Sequence, residues 1–265
     1  MNTRLLLAML GLIAASFLVA PFASYAGGGT VTGKVTTKEK SDKKEFLFSK
    51  FPNPNFCPKI ENAALKDGDK RFLPTVEVSK DGGLKNAVVA IDDIEDKAFM
   101  DGYKGTEVVA EFCQFLPFAG VVVNKKNFIV ENHDSDPDDP KSVEGVLHNP
   151  HSFEVKGASS STIFNIGLAK KGDKLEKPIV LRKEKAGSFL RLQCDQHEFM
   201  QSFFLPVKNP HYAVAKEDGS FEIKDVPAGK HKLTVWHPFV NKGKPIQVDV
   251  DVPEGGKADV KAELK

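Results

Sequence analysis

Seven residues concentrate the chemistry of this chain: Cys194-Asp195-Gln196-His197-Glu198-Phe199-Met200, a C-x2-H-x2-M spacing. A thiolate, an imidazole and a thioether this close together form a soft donor set suited to copper. The segment before it, Gly187 to Cys194, alternates so that Leu190, Leu192 and Cys194 share one face of a strand. The sulfur is thus expected at a strand end, rigidly held and away from bulk water, with His197 and Met200 on the loop that follows. Beyond the first 26 residues the only methionines are Met100 and Met200, so a Met in this register is otherwise hard to explain.

A trigonal His2Cys copper site with a weak axial Met needs a second imidazole from another loop. Leu147-His148-Asn149-Pro150-His151 offers two. His148 is the better choice, because Asn149 can hydrogen-bond backbone near the cysteine and lock the two loops together; His151 stays open as the alternative. The expected metal ligands are therefore His148, Cys194, His197 and Met200, holding one copper ion in a type 1 (blue) site. Zinc in a tetrahedron of Cys194, His197, His148 and His151 is a competing reading. The bland one is an inert buried thiol beside an exposed histidine.

The elements that must position these residues read as strands. Short runs rich in Val, Ile, Phe and Thr are broken by Gly, Pro, Asn and Asp, the texture of an all-β chain. Strands are expected at Thr30–Thr36, Thr75–Val78, Ala87–Ile91, Val121–Val123, Asn127–Glu131, Gly187–Cys194 and Gln201–Val207. Gly219–Ile223 and Lys232–Trp236 read as a hairpin closed by Asp225-Val226-Pro227-Ala228-Gly229. Ile246–Val252 and Ala258–Leu264 are two last runs that also alternate, on either side of Pro253-Glu254-Gly255-Gly256. Lys97–Met100 allows one helical turn. Two segments read as connections: Lys38 to Asn62, and the acidic Asp134–Lys141, expected as an exposed loop whose spacing lacks the pattern of a calcium-binding loop.

Arg4, the apolar run Leu5–Val19 and Ser24-Tyr25-Ala26 have the pattern of a cleaved secretory leader, residues 1–26. Export to the periplasm, or an equivalent exported location, is the expectation, with no membrane-spanning segment after cleavage. Lys and Arg total 37 and Asp and Glu 36, so the charge is nearly balanced, which argues against nucleic acid as a partner. Three cysteines are present. With Cys194 taken as a ligand, Cys57 and Cys113 remain as the candidate disulfide by elimination, two unpaired thiols being the alternative.

With those residues in place, the chain resembles the cupredoxins, particularly the amicyanin-like branch, in which His-Asn is followed by C-x2-H-x2-M. The wider layout is similar to periplasmic proteins of the methylamine-utilisation or plastocyanin-like type, which combine a cupredoxin with a carboxypeptidase-regulatory-like β-sandwich. The resemblance is carried by Gly29–Val35, Cys113-Gln114-Phe115-Leu116-Pro117, Asn132-His133-Asp134, His148-Asn149, the copper loop, Pro210–Val214, Gly219–Gly229 and Trp236-His237. Glu198 stands where amicyanin-like loops carry Pro.

The resemblance implies a Greek-key cupredoxin sandwich over 75–208. It also implies a second, smaller transthyretin-like sandwich built from an N-terminal strand and linker in 27–74 together with 209–265. It further implies one-electron transfer through Cu(I)/Cu(II) with a redox partner protein. The residues themselves offer no convincing Ser-His-Asp arrangement, Gly-rich phosphate loop or carboxylate pair, so no catalysis is expected. Copper carriage or storage, and a metal-free binding scaffold, are the rival functions.

Overall fold

The computed structural model describes residues 27–184 and 187–265, so the expected leader lies outside the described residues. The chain is nearly all β, as its composition implies. Four sheets stack face to face, and a small fifth one lies beside them.

The first sandwich packs a five-stranded sheet on a four-stranded one. The five-stranded sheet runs in the order β11 (Ser159–Asn165), β10 (Pro150–Lys156), β13 (Phe189–Cys194), β14 (Gln201–Pro206) and β8 (Ala119–Val122). Its partner is β12 (Lys174–Pro178), β9 (Asn127–Asn132), β6 (Thr106–Ala110) and β7 (Phe115–Leu116). Leu190, Leu192, Phe204 and Val122 meet Val108, Phe128, Val130 and Leu175 in the core between them. The alternation read along β13 is the cause: Leu190, Leu192 and Cys194 all point inward and are wholly buried.

The second sandwich packs β16 (Ser220–Val226), β1 (Gly29–Thr37) and β19 (Lys257–Leu264) on a second sheet. That sheet consists of β15 (Tyr212–Val214), β5 (Val88–Ile91), β17 (Gly229–Trp236) and β18 (Ile246–Val252). The chain's first described strand pairs in parallel with its last, β1 with β19. Strand β5 reads as four apolar residues in a row because both of its faces are covered. Val89 and Ile91 enter the second core, whereas Val88 and Ala90 join Val121, Phe203, Leu205 and Trp236 in a layer between the sandwiches. One helical turn, α1 (Lys97–Gly102), is capped by the Asp96 carboxylate, which accepts from the Phe99 N–H.

The structure alters four expectations. The segment Asp225–Gly229 does not close a hairpin: β16 pairs with β1 and β17 with β5 and β18, so the Pro-Ala-Gly turn carries the chain from one sheet to the other. A turn sequence sets a reversal but not which strands then pair. Strand β5, inside the range expected for the copper unit, pairs with β15 and β17 of the second sandwich. The expected connection Lys38–Asn62 contains β2 (Asp42–Leu47), which pairs with β4 (Lys70–Val76), itself paired with β3 (Lys66–Asp67). Finally, the acidic run is not wholly exposed. Asp134 and Asp136 are buried, because Asp134 accepts backbone N–H bonds and Asp136 pairs with Lys59.

Candidate metal centre

Strand β13 delivers Cys194 to the end of the first sandwich, where the chain turns back into β14. Two backbone bonds shape that turn: Cys194 N–H to Met200 O at 3.1 Å, and Met200 N–H to His197 O at 2.8 Å. They draw His197 and Met200 back over the strand end. Both side chains are buried, and Met200 belongs to the same apolar cluster as Cys194.

The second loop arrives through β10, whose Pro150 pairs with Cys194 across the ladder. Asn149 ties the two loops together, but through its backbone. Its N–H donates to Cys194 Sγ at 3.3 Å, and its carbonyl accepts from the Asp195 N–H at 3.0 Å. The Asn149 side-chain Oδ1 is buried with no hydrogen-bond partner, so the side-chain tie expected from the sequence is replaced by a main-chain one. Pro150, lacking an N–H, takes nothing from this arrangement.

The result is a buried triad. Nδ1 of His148 lies 4.0 Å from Cys194 Sγ, and Nδ1 of His197 lies 3.8 Å from it. Ligand atoms of all three fall within 4.8 Å of one another. The outer nitrogens are occupied as well: His148 Nε2 lies 2.8 Å from Asp134 Oδ2, and His197 Nε2 lies 3.0 Å from Pro52 O. A carbonyl can only accept, so His197 carries its proton on Nε2, and a carboxylate imposes the same on His148. Each imidazole then turns Nδ1 toward the sulfur.

His151 is placed elsewhere. Its ring rests on Phe153 and bonds Asp195 and Thr162 near the surface, so the four-ligand zinc set is not assembled.

The electrostatics follow from this closeness. Burial pushes the Cys194 thiol up, but the two imidazoles outweigh it and hold the group down to about 6. Burial pushes His148 down, but the Asp134 carboxylate and the Cys194 sulfur overcome it and raise the ring to about 9. Both shifts favour a thiolate facing an imidazolium when no metal is bound.

The donor set also fits an ion. With bonds of about 2.0 Å to nitrogen and about 2.3 Å to sulfur at angles near 120°, the N···S separations come to about 3.7 Å. The observed 3.8 and 4.0 Å lie close to that separation.

Two features had little signal in the sequence. Asp134 stands in a polar run, and only the Asn132-His133-Asp134 element of the resemblance and its place two residues past strand β9 hint that it reaches the ligand end of the sandwich. Pro52 is 145 residues from His197 and acts through its carbonyl, which no residue type announces. Cys57 and Cys113 form a disulfide, with Cα atoms 5.3 Å apart.

No family model matches the chain, and no curated protein matches it. Among solved structures, it is similar to a purple cupredoxin from Nitrosopumilus maritimus at 16% identity and a TM-score of 0.28, covering 38% of this chain and 99% of that one. It is also similar to a Cu(I) form of an amicyanin mutant at 12% identity and a TM-score of 0.28, covering 45% of this chain and 98% of that one. A third is the copper-containing nitrite reductase of Thermus scotoductus, at 12% identity and a TM-score of 0.29. That match covers 40% of this chain and 23% of the reductase, so the chain spans less than a quarter of the enzyme's length.

Proposed function

We propose that this chain is an exported one-electron carrier that holds a single type 1 copper ion through His148, Cys194, His197 and Met200. The observation that carries the reading is the convergence of two inward-facing Nδ1 atoms on one buried, acidified thiol at 3.8 and 4.0 Å. Bound copper would supply the Cu(I)/Cu(II) couple.

The protein's own part is to hold the ligands still. Cys194 is fixed by the β13 ladder and by the Asn149 N–H on its sulfur. The imidazoles are held through Asp134 and the Pro52 carbonyl. The main-chain bonds between Cys194, His197 and Met200 keep the loop short and tight. Ligands fixed this way need little rearrangement when the ion changes charge, and that favours rapid electron transfer over storage.

The copper unit in this proposal is the first sandwich, and the second sandwich is a support packed on it through the layer around Trp236. Export rests on the leader-like residues Arg4, Leu5–Val19 and Ser24-Tyr25-Ala26, and on a disulfide of the kind that persists in oxidising compartments. The redox partner is a protein that the near-neutral overall charge does not specify.

Voltammetry of the copper-loaded protein tests the function. A carrier gives a reversible one-electron wave with one copper retained over repeated cycles. Loss of the ion on each reduction would favour carriage or storage instead.

A further inference from the structure

Both imidazoles are held from outside by groups that lead to the same covalent bond. On one side, Pro52 belongs to a strap, residues 46–60, that folds over His197. Phe46, Phe48 and Phe51 pack around the Phe199 ring with centroids 6.0, 5.8 and 5.1 Å away, and Phe199 lies in the ligand loop itself. Arg71 closes the same cage, its guanidinium carbon 5.3 Å from the ring centre. The strap is anchored to the acidic segment by Asn53, which donates to Ser142 Oγ at 2.8 Å, and by Lys59, which lies 2.8 Å from Asp136. It ends in the short turn that begins with Cys57.

On the other side, the Asp134 carboxylate that holds His148 is itself gripped by two successive N–H groups. Phe112 donates to Oδ1 at 2.6 Å and Cys113 to Oδ2 at 2.9 Å. Phe112 and Cys113 both adopt left-handed backbone, φ 46° and 52°, which costs a non-glycine residue energy and persists only where the surroundings enforce it. The gain is that two consecutive donors converge on one anion. Cys113 is then joined to Cys57, and Phe56 stacks on Phe112 with centroids 6.2 Å apart. Ligand atoms of Cys57, Cys113 and His197 lie within 4.8 Å of one another, as do those of Cys113, Asp134 and His148. The bridge therefore sits against both histidines.

We infer that the Cys57–Cys113 disulfide is a positioning element of the metal centre. It clamps the strap that carries the Pro52 carbonyl to the turn whose N–H groups hold the Asp134 carboxylate, and so fixes the outer nitrogens of His197 and His148 together. The inference rests on the copper reading above and extends it. The bridge does not touch the ion; it acts through the two acceptors, whose loss lowers metal affinity by about tenfold to a hundredfold in comparable metal sites.

The test compares copper-loaded full chain with a Cys57→Ser/Cys113→Ser variant, following the thiolate-to-copper absorption band during transfer of copper to a chelator. Trp236, the single tryptophan, is buried in the layer between the sandwiches and reports by its emission whether the fold is intact. The clamp predicts unchanged Trp236 emission, a shifted band, and release faster by about tenfold or more. A folded variant with the parent's band and release rate overturns it.

Should the double variant fail to fold, the bridge of the folded metal-free parent is reduced with a phosphine and cobalt(II) is added. A cobalt spectrum that differs from that of the oxidised protein supports the clamp, and an identical one overturns it. A parent that binds no copper, or keeps its band after Cys194→Ser, counts against the copper reading itself rather than against the clamp.

Discussion

Asp134 Oδ2 and His148 Nε2 lie 2.8 Å apart, both wholly enclosed, at the end of the sandwich where Cys194 ends its strand. The carboxylate in turn accepts from the Phe112 and Cys113 N–H groups, and the Asp134 backbone N–H donates to the Asn132 side-chain oxygen. Asn132 is locked by its amide donating to the carbonyls of Val146 and Leu168. The orientation of one imidazole is therefore set by a chain of buried bonds reaching well beyond the ligands.

Replacing Asp134 by Asn should leave the fold in place and weaken copper binding by about tenfold to a hundredfold, because the ring loses a charged acceptor. Competition with a chelator of known affinity measures this. Affinity equal to that of the parent would show that the carboxylate does not orient His148.

The two candidate histidines should separate cleanly. His148→Ala is expected to abolish the blue band. His151→Ala should leave band position and copper stoichiometry unchanged, since His151 bonds Asp195 and Thr162 and not the thiol. Loss of the band in the His151 variant would contradict the arrangement of the site.

Copper binding should depend on pH with a definite sign. Between about 6, where the Cys194 thiol titrates, and about 9, where His148 does, the metal-free site holds one proton that the ion must displace. Affinity should then rise about tenfold per pH unit across that window and level off above it. Below it the thiol is protonated as well, and the slope should approach two protons. Copper titrations at several pH values decide this, and a flat profile between 6 and 9 would contradict the thiolate–imidazolium pair.

Phe199→Ala should destabilise the protein by about 3–5 kcal/mol, the usual cost of emptying a large aromatic site in a core. Its ring is enclosed by Phe46, Phe48, Phe51 and Arg71. Denaturant unfolding followed through Trp236 gives the value. A change below about 1 kcal/mol would mean that the strap packs without it.

Some of this was legible from residue order and some was not. Leu190, Leu192 and Cys194 alternate strictly, so strand period alone put the thiol on the buried face. His148 could be preferred to His151 from its neighbour, although the Asn149 contribution comes from main chain and not from the amide. Strand β11 gives no apolar alternation to read, because Ser159 to Thr162 is a polar, exposed edge. The strap reads as a linker because its phenylalanines fall among Pro and Asn with neither a two-residue nor a helical period. Their common target, Phe199, lies about 150 residues away. Asp134 looked like part of a solvated acidic run, because local composition does not show that two backbone N–H groups wait to receive it.

The most direct test of the central claim is the visible absorption of the copper(II)-loaded protein beside a Cys194→Ser variant. The account predicts an intense thiolate-to-copper band at one copper per chain in the parent and none in the variant. A parent that retains no copper, or a spectrum indifferent to the loss of Cys194, would contradict it.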